Sequence, residues 1–74
     1  MLTELHTAGA VIDALGGTGA TARLVGKTPQ HVSNWRADNR LPSYTFLVLT
    51  AALKERSHTA PPSLWGIATV ESVQ

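Results

Sequence analysis

The stretch Thr18 to Arg36, TGATARLVGKTPQHVSNWR, decides the fold of this 74-residue chain. Thr18 offers a hydroxyl that can accept from the first-turn N–H groups of a helix through Ala20, Ala22, Leu24 and Val25. Gly26 ends that helix, because a left-handed residue is needed there and a Cβ would penalise it. Thr28-Pro29 starts another at once, with Thr as N-cap and Pro at the first helical position, where its missing N–H costs nothing. This third helix runs through Val32 and Trp35 to about Arg36 or Ala37.

Further helices flank this pair. Upstream, Leu2, Leu5, Ala8, Val11, Ile12 and Leu15 keep the three-and-four spacing of one helix face. Thr3 or Thr7 caps its start, Gly9 weakens it, and Gly16-Gly17 supplies the stop. Downstream, Asp38-Asn39-Arg40 forms a polar break and Leu41-Pro42 disfavours helix at position 41. Ser43 then caps a fourth helix whose apolar face is Phe46, Leu47, Leu49, Thr50 and Leu53, ending in Lys54-Glu55-Arg56. The expected fold is all-α, a bundle of four to five short helices.

Beyond Ser57 the texture changes to the linker-like Thr59-Ala60-Pro61-Pro62-Ser63, followed by the apolar patch Leu64-Trp65-Gly66-Ile67. The chain therefore divides into a helical domain, residues 1–57, and a Pro-containing tail, residues 58–74, that is a candidate dimerisation or docking segment; helix four, more apolar than a lone domain needs, is a candidate for the dimer surface beside it. Trp65 must fold back, pack across a dimer or recruit a partner protein. A domain of this size buries only about 60% of the surface its unfolded chain exposes, and with no cysteine to staple it, self-association is expected.

Net charge is only +1, but it is unevenly spread. Arg23, Lys27, Arg36 and Arg40 stand against Asp38 between Thr18 and Arg40, a net of +3. Lys54 and Arg56 stand against Glu4, Asp13, Glu55 and Glu71 elsewhere, a net of −2. Concentrated positive charge is the footprint a polyphosphate requires. No apolar run approaches the roughly 20 residues that span a bilayer. The first ten residues lack the basic and apolar regions of a secretory signal, so the expected location is cytoplasmic.

Two short helices joined by about three residues with a glycine at the corner form a helix-turn-helix. Ala22, four residues before Gly26, is small where the two helices cross, and Val32 and Trp35 fall on the inner face of the third helix as core residues. The set Ala22, Val25, Gly26, Val32 and Trp35 resembles the phage-repressor signature. Thr28 to Arg36 is similar to the recognition-helix segment of the Cro/C1-type family, which includes small YdaS-like phage and toxin-antitoxin regulators. Two positions depart from that pattern: Lys27 stands where an aliphatic residue is common, and Pro29 where some relatives carry a DNA-contacting glutamine. The resemblance covers roughly Thr7 to Arg56.

The resemblance implies a lambda-repressor/Cro-like bundle that binds double-stranded DNA as a homodimer, acting as a transcriptional repressor of bacterial or phage origin. A helix in the major groove turns its N-terminal outward residues to base edges, which makes Gln30, His31, Ser33 and Asn34 the readers. Gln30 and Asn34 match base-contacting positions of the family. Gln and Asn can pair bidentately with adenine N6 and N7. Thr18 and Thr28 at helix N-termini, with Lys27, Arg36 and Arg40 beside them, are the candidate phosphate contacts.

Other chemistries fit poorly. Gly26-Lys27-Thr28 matches the end of a phosphate-binding P-loop, but Thr21 stands where its first glycine must be, and a helix rather than a strand precedes it. His6, His31 and His58 are scattered, without carboxylates at ligand spacing, so neither a metal site nor a Ser-His-Asp triad is expected. No enzyme and no cofactor is expected. The rival reading is a protein-interaction module, antitoxin-like or binding polymerase or a sigma factor, that uses the same fold and the Leu64–Ile67 patch.

Overall fold

Helix starts and stops are set by local capping, and the elements come together through contacts far apart in sequence. The structure, a computed structural model, describes residues 3–67. It is mostly helical: α1 (Ala8–Ala14), α2 (Thr18–Val25), α3 (Pro29–Asp38) and α4 (Phe46–Glu55). A 3-10 turn (Ser43–Thr45) leads into α4, and another (Pro62–Trp65) follows it. Two-residue strands β1 (Thr3–Glu4) and β2 (His58–Thr59) pair in parallel, in the register Thr3 with His58 and Glu4 with Thr59. The Thr3 N–H donates to the Ser57 carbonyl (3.0 Å) and the Leu5 N–H to that of Thr59 (2.7 Å). A parallel pair needs a long crossover, and here all four helices provide it.

That pairing moves the start of the first helix. Residues 3 and 4 are extended rather than helical, and α1 begins only after Thr7, whose Oγ1 accepts from the Ala10 N–H (3.0 Å). A second orphan donor of α1 is satisfied from far away, since the Ala8 N–H donates to Asn39 Oδ1 (2.9 Å). Leu2 and residues 68–74 of the expected tail lie outside the described residues.

Two expected caps are replaced. Gly17, not Thr18, is the N-cap of α2, and no side chain caps it. Gly16 and Gly17 both have positive φ, +106° and +101°, so the chain turns there and Thr18 is already helical. Ser43 does not cap α4; it opens the 3-10 turn after Pro42. The Thr45 hydroxyl donates to the Pro42 carbonyl (2.7 Å) and accepts the indole N–H of Trp65 (3.0 Å), which satisfies two buried polar groups at once.

The division at residue 57 marks no structural boundary. β2 pairs with β1, and Leu64 and Trp65 are buried in the same core as Ala8, Val11, Leu15, Leu41, Leu49, Ala52 and Leu53. Trp65 is 2% exposed and meets the Phe46 ring edge-on, centroids 5.2 Å apart. The Leu41 N–H donates to the Leu64 carbonyl (2.8 Å), which fastens the tail to the segment before α4. Of the three fates open to Trp65, folding back is the one found, because the indole has both an apolar site and a hydrogen-bond acceptor within its own chain. The Leu64–Ile67 patch is therefore not an exposed docking surface at Leu64 or Trp65.

A smaller cluster, Ile12, Ala22 and Val32, locks α1, α2 and α3 together. Trp35, expected in the core, is half-buried and packs against both clusters.

Candidate functional site

The site is built on α3, which is held in place by its ends and its inner face. At its start the Thr28 Oγ1 accepts from the His31 N–H (3.4 Å), with Pro29 at the first helical position. The preceding turn is fixed by Gly26, at φ +72°, where only a left-handed backbone lets both its own N–H and that of Lys27 reach the Ala22 carbonyl. At its end Asn39 is left-handed (φ +54°) and anchors to α1 through the bond to Ala8.

On the inner face Val32 is fully buried against Ala22 and Ile12. Arg36 reaches across to α1, where its Nη2 donates to Asp13 Oδ1 at 2.6 Å. The hydrogen bond from Arg36 holds the Asp13 carboxyl below its ordinary pKa and pushes the guanidinium up, against an opposing cost of desolvation and with the Coulombic attraction of the pair adding to it. Arg36, expected as a phosphate contact, is thus also a brace between two helices.

Gln30, His31, Ser33 and Asn34 are all exposed. Gln30 and Asn34, one turn apart, are joined by a hydrogen bond from Gln30 Nε2 to Asn34 Oδ1 (3.3 Å). That bond leaves Gln30 Oε1 as acceptor and the Asn34 amide as donor, so the pair presents both kinds of group outward. The Thr28 hydroxyl lies 2.8 Å from His31 Nδ1. A neutral ring that accepts the hydroxyl proton there carries its own on Nε2, which is then a donor. Thr28 Oγ1 is itself taken up by the cap, Pro29 has no N–H and that of His31 is bonded to Thr28, so the Gln30 N–H is the remaining first-turn donor of α3.

The expected cationic residues each have different neighbours. Lys27 is exposed at the corner before α3, its Nζ 5.5 Å from the centroid of the Tyr44 ring. Arg40 lies over Gly66, whose left-handed backbone (φ +70°) favours glycine. Thr18 is half-buried in the first turn of α2, beside Gly17 and Gly19, where added Cβ atoms would meet nothing within 4 Å. The backbone there is open to approach.

Two contributors were not foreseen. Asn39 was read only as part of a polar break, though Asn at the end of a helix is a signal for the left-handed conformation. Tyr44, 62% exposed beside Lys27, has no local sequence signal that distinguishes it. Among the described residues no group of three His, Cys, Asp or Glu side chains can hold a metal ion, and no helix is long and apolar enough to cross a membrane. No protein-family model, curated protein or solved structure matches the chain.

Proposed function

We propose that the protein is a sequence-specific double-stranded DNA-binding transcriptional regulator, of repressor type, that inserts α3 as the recognition helix of a helix-turn-helix into the major groove, two copies sharing one inverted repeat. The observation that carries this reading is the outward face of α3. It offers Gln30, His31, Ser33 and Asn34, all polar and exposed, on a helix whose inner face and ends are fixed. A protein-binding helix would carry apolar anchors there, whereas base edges in the major groove call for paired donors and acceptors.

Within this reading Gln30 and Asn34 read adenine, and His31 Nε2–H meets a purine acceptor. Lys27, with the open backbone at the start of α2 and the Gln30 N–H at the start of α3, holds phosphates without reading sequence. Arg40 adds positive potential at one flank, while the charge of Arg36 is largely offset by its pair with Asp13. The regulator is Cro/C1-like in this account. The rival protein-interaction reading loses Leu64 and Trp65 from the patch it used, because both are buried.

The test is selection of binding sites from a randomised duplex pool with the wild type and a Gln30→Ala, Asn34→Ala double variant. The expected result is an inverted repeat with half-sites one helical turn apart, about 34–36 Å, relaxed in the variant at a cost of about 1–3 kcal/mol per bidentate contact. Both substitutions are on the exposed face, so folding should be unchanged. Affinity should fall steeply with salt. No enrichment at low salt would overturn the reading.

A further inference from the structure

α4 turns one stripe to the core and another to solvent. Leu49, Ala52 and Leu53 are buried, while Tyr44, Leu47, Val48 and Ala51 follow one another at helical spacing and are exposed. Leu47 is 78% exposed, and Tyr44, Leu47 and Val48 are three of the four large apolar side chains exposed among the described residues. Beside the stripe a groove of about 340 Å³ is lined by Leu47, Thr50, Ala51, Lys54, His58 and Thr59. Apolar side chains gathered on one face in this way, unlike ones scattered singly, mark an interaction surface.

Both ends of the stripe are positive. At the N-terminal end Lys27 Nζ lies 5.5 Å from the centroid of the Tyr44 ring. At the other end Lys54 lines the groove and Arg56 follows it, both exposed, with Glu55 alone between them. Among the described residues no carboxylate lines the groove. A second copy of α4 would set cations against cations whether the two helices ran parallel or antiparallel. A nucleic acid backbone would give Leu47 and Val48 no apolar contact, and a flat bilayer surface cannot enter a groove. We propose that the occupant is an acidic amphipathic helix of an unlike protein. Its apolar residues, three and four apart, pack between Leu47, Val48 and Ala51 and into the groove. Carboxylates near its two ends meet Lys27 and Lys54. Tyr44 and Lys54 stand roughly 15 Å apart along the axis at 1.5 Å per residue, so those carboxylates are about ten residues apart in the partner.

The stripe shares no residue with the base-reading set of α3, so this proposal goes beyond the DNA-binding reading and stands without it. Lys27, which that reading also assigns to phosphate, is left unchanged in the test, and no DNA is present. The test is selection of displayed random peptides of about 16 residues, four to five helical turns, on the immobilised full chain. Peptides should emerge with apolar residues three and four apart and with Asp or Glu about ten residues apart. The best of them, made synthetically, should bind Leu47→Glu more weakly by on the order of tenfold or more. It should bind Leu24→Glu as tightly as the wild type, since that exposed leucine lies on α2. Selection on Lys54→Glu should replace the acidic residue at one end by Lys or Arg. Circular dichroism checks that each variant keeps the helical spectrum of the wild type. No enrichment, enrichment without acidic residues, or a peptide that binds Leu47→Glu as tightly as the wild type would overturn the proposal. So would sedimentation showing a wild-type dimer that Leu47→Glu dissociates, because a second copy would then be what covers the stripe.

Discussion

α3 and α4 are both ten residues long, yet they hold the molecule together in different ways. α4 buries Leu49, Ala52 and Leu53 and receives Trp65 at its start. Of its own side chains α3 fully buries only Val32, and is fixed instead by the Thr28 cap, the Asn39 link to Ala8 and the Arg36–Asp13 pair. Stability is concentrated beneath one helix and the polar display on the other. A helix held by its ends and one inner residue leaves its outer residues free to vary without loss of the core, as a recognition surface requires.

The contrast is open to attack at three strengths. Trp65→Ala removes the largest side chain beneath α4 and leaves Thr45 Oγ1 without its donor; a cost of about 3–5 kcal/mol is expected, enough to unfold much of so small a domain. Leu47→Ala, on the outer face of the same helix, should change the stability of a single copy, measured in dilute protein, by no more than about 0.5 kcal/mol. Chemical denaturation measures both, and equal effects would end the distinction between the two faces of α4.

Asn39→Gly tests how α3 is held. Glycine keeps the left-handed backbone but removes the acceptor for the Ala8 N–H, so a loss of about 0.5–2 kcal/mol is expected, as for other capping residues. Asn39→Ala should lose more, because it also strains φ. Denaturation curves that rank them in the reverse order would show that the link to Ala8 contributes little.

The smallest effect concerns the brace. The Asp13 carboxyl is held below its ordinary value of 3.8 by the hydrogen bond from Arg36. Its contribution is therefore fully present above that value and lost as pH falls through the folded one. Asp13→Asn should melt below the wild type at neutral pH, and the two melting temperatures should converge well below 3.8. The gap should be small, since both side chains are exposed. A gap that widens on acidification would remove the ion pair as its cause.

What could be read from the sequence is what is decided locally. The end of α2 at Gly26, the start of α3 at Thr28-Pro29 and the inward turn of Val32 follow from neighbours within one helical turn. The late start of α1 could not be read this way, because residues 3 and 4 are drawn into pairing with residues 58 and 59. Nor could the fate of the tail, since a double proline resembles a linker unless the acceptor on Thr45, 20 residues before Trp65, is known. The outward set on α3 was legible as positions on a helix. The Gln30–Asn34 bond and the brace from Arg36 to Asp13 depend on rotamers and on packing across 23 residues of chain.

The chain's two tryptophans occupy unlike surroundings, one sealed in the core with its N–H bonded, the other half-open behind α3. Their emission therefore separates two events in one sample. Capture of a ligand on α3 alters the light from Trp35 while that from Trp65 stays fixed, whereas loss of the fold brings both into water and shifts both to longer wavelength. A Trp35→Phe variant isolates the core signal, and the difference between the two spectra follows α3 without any added dye.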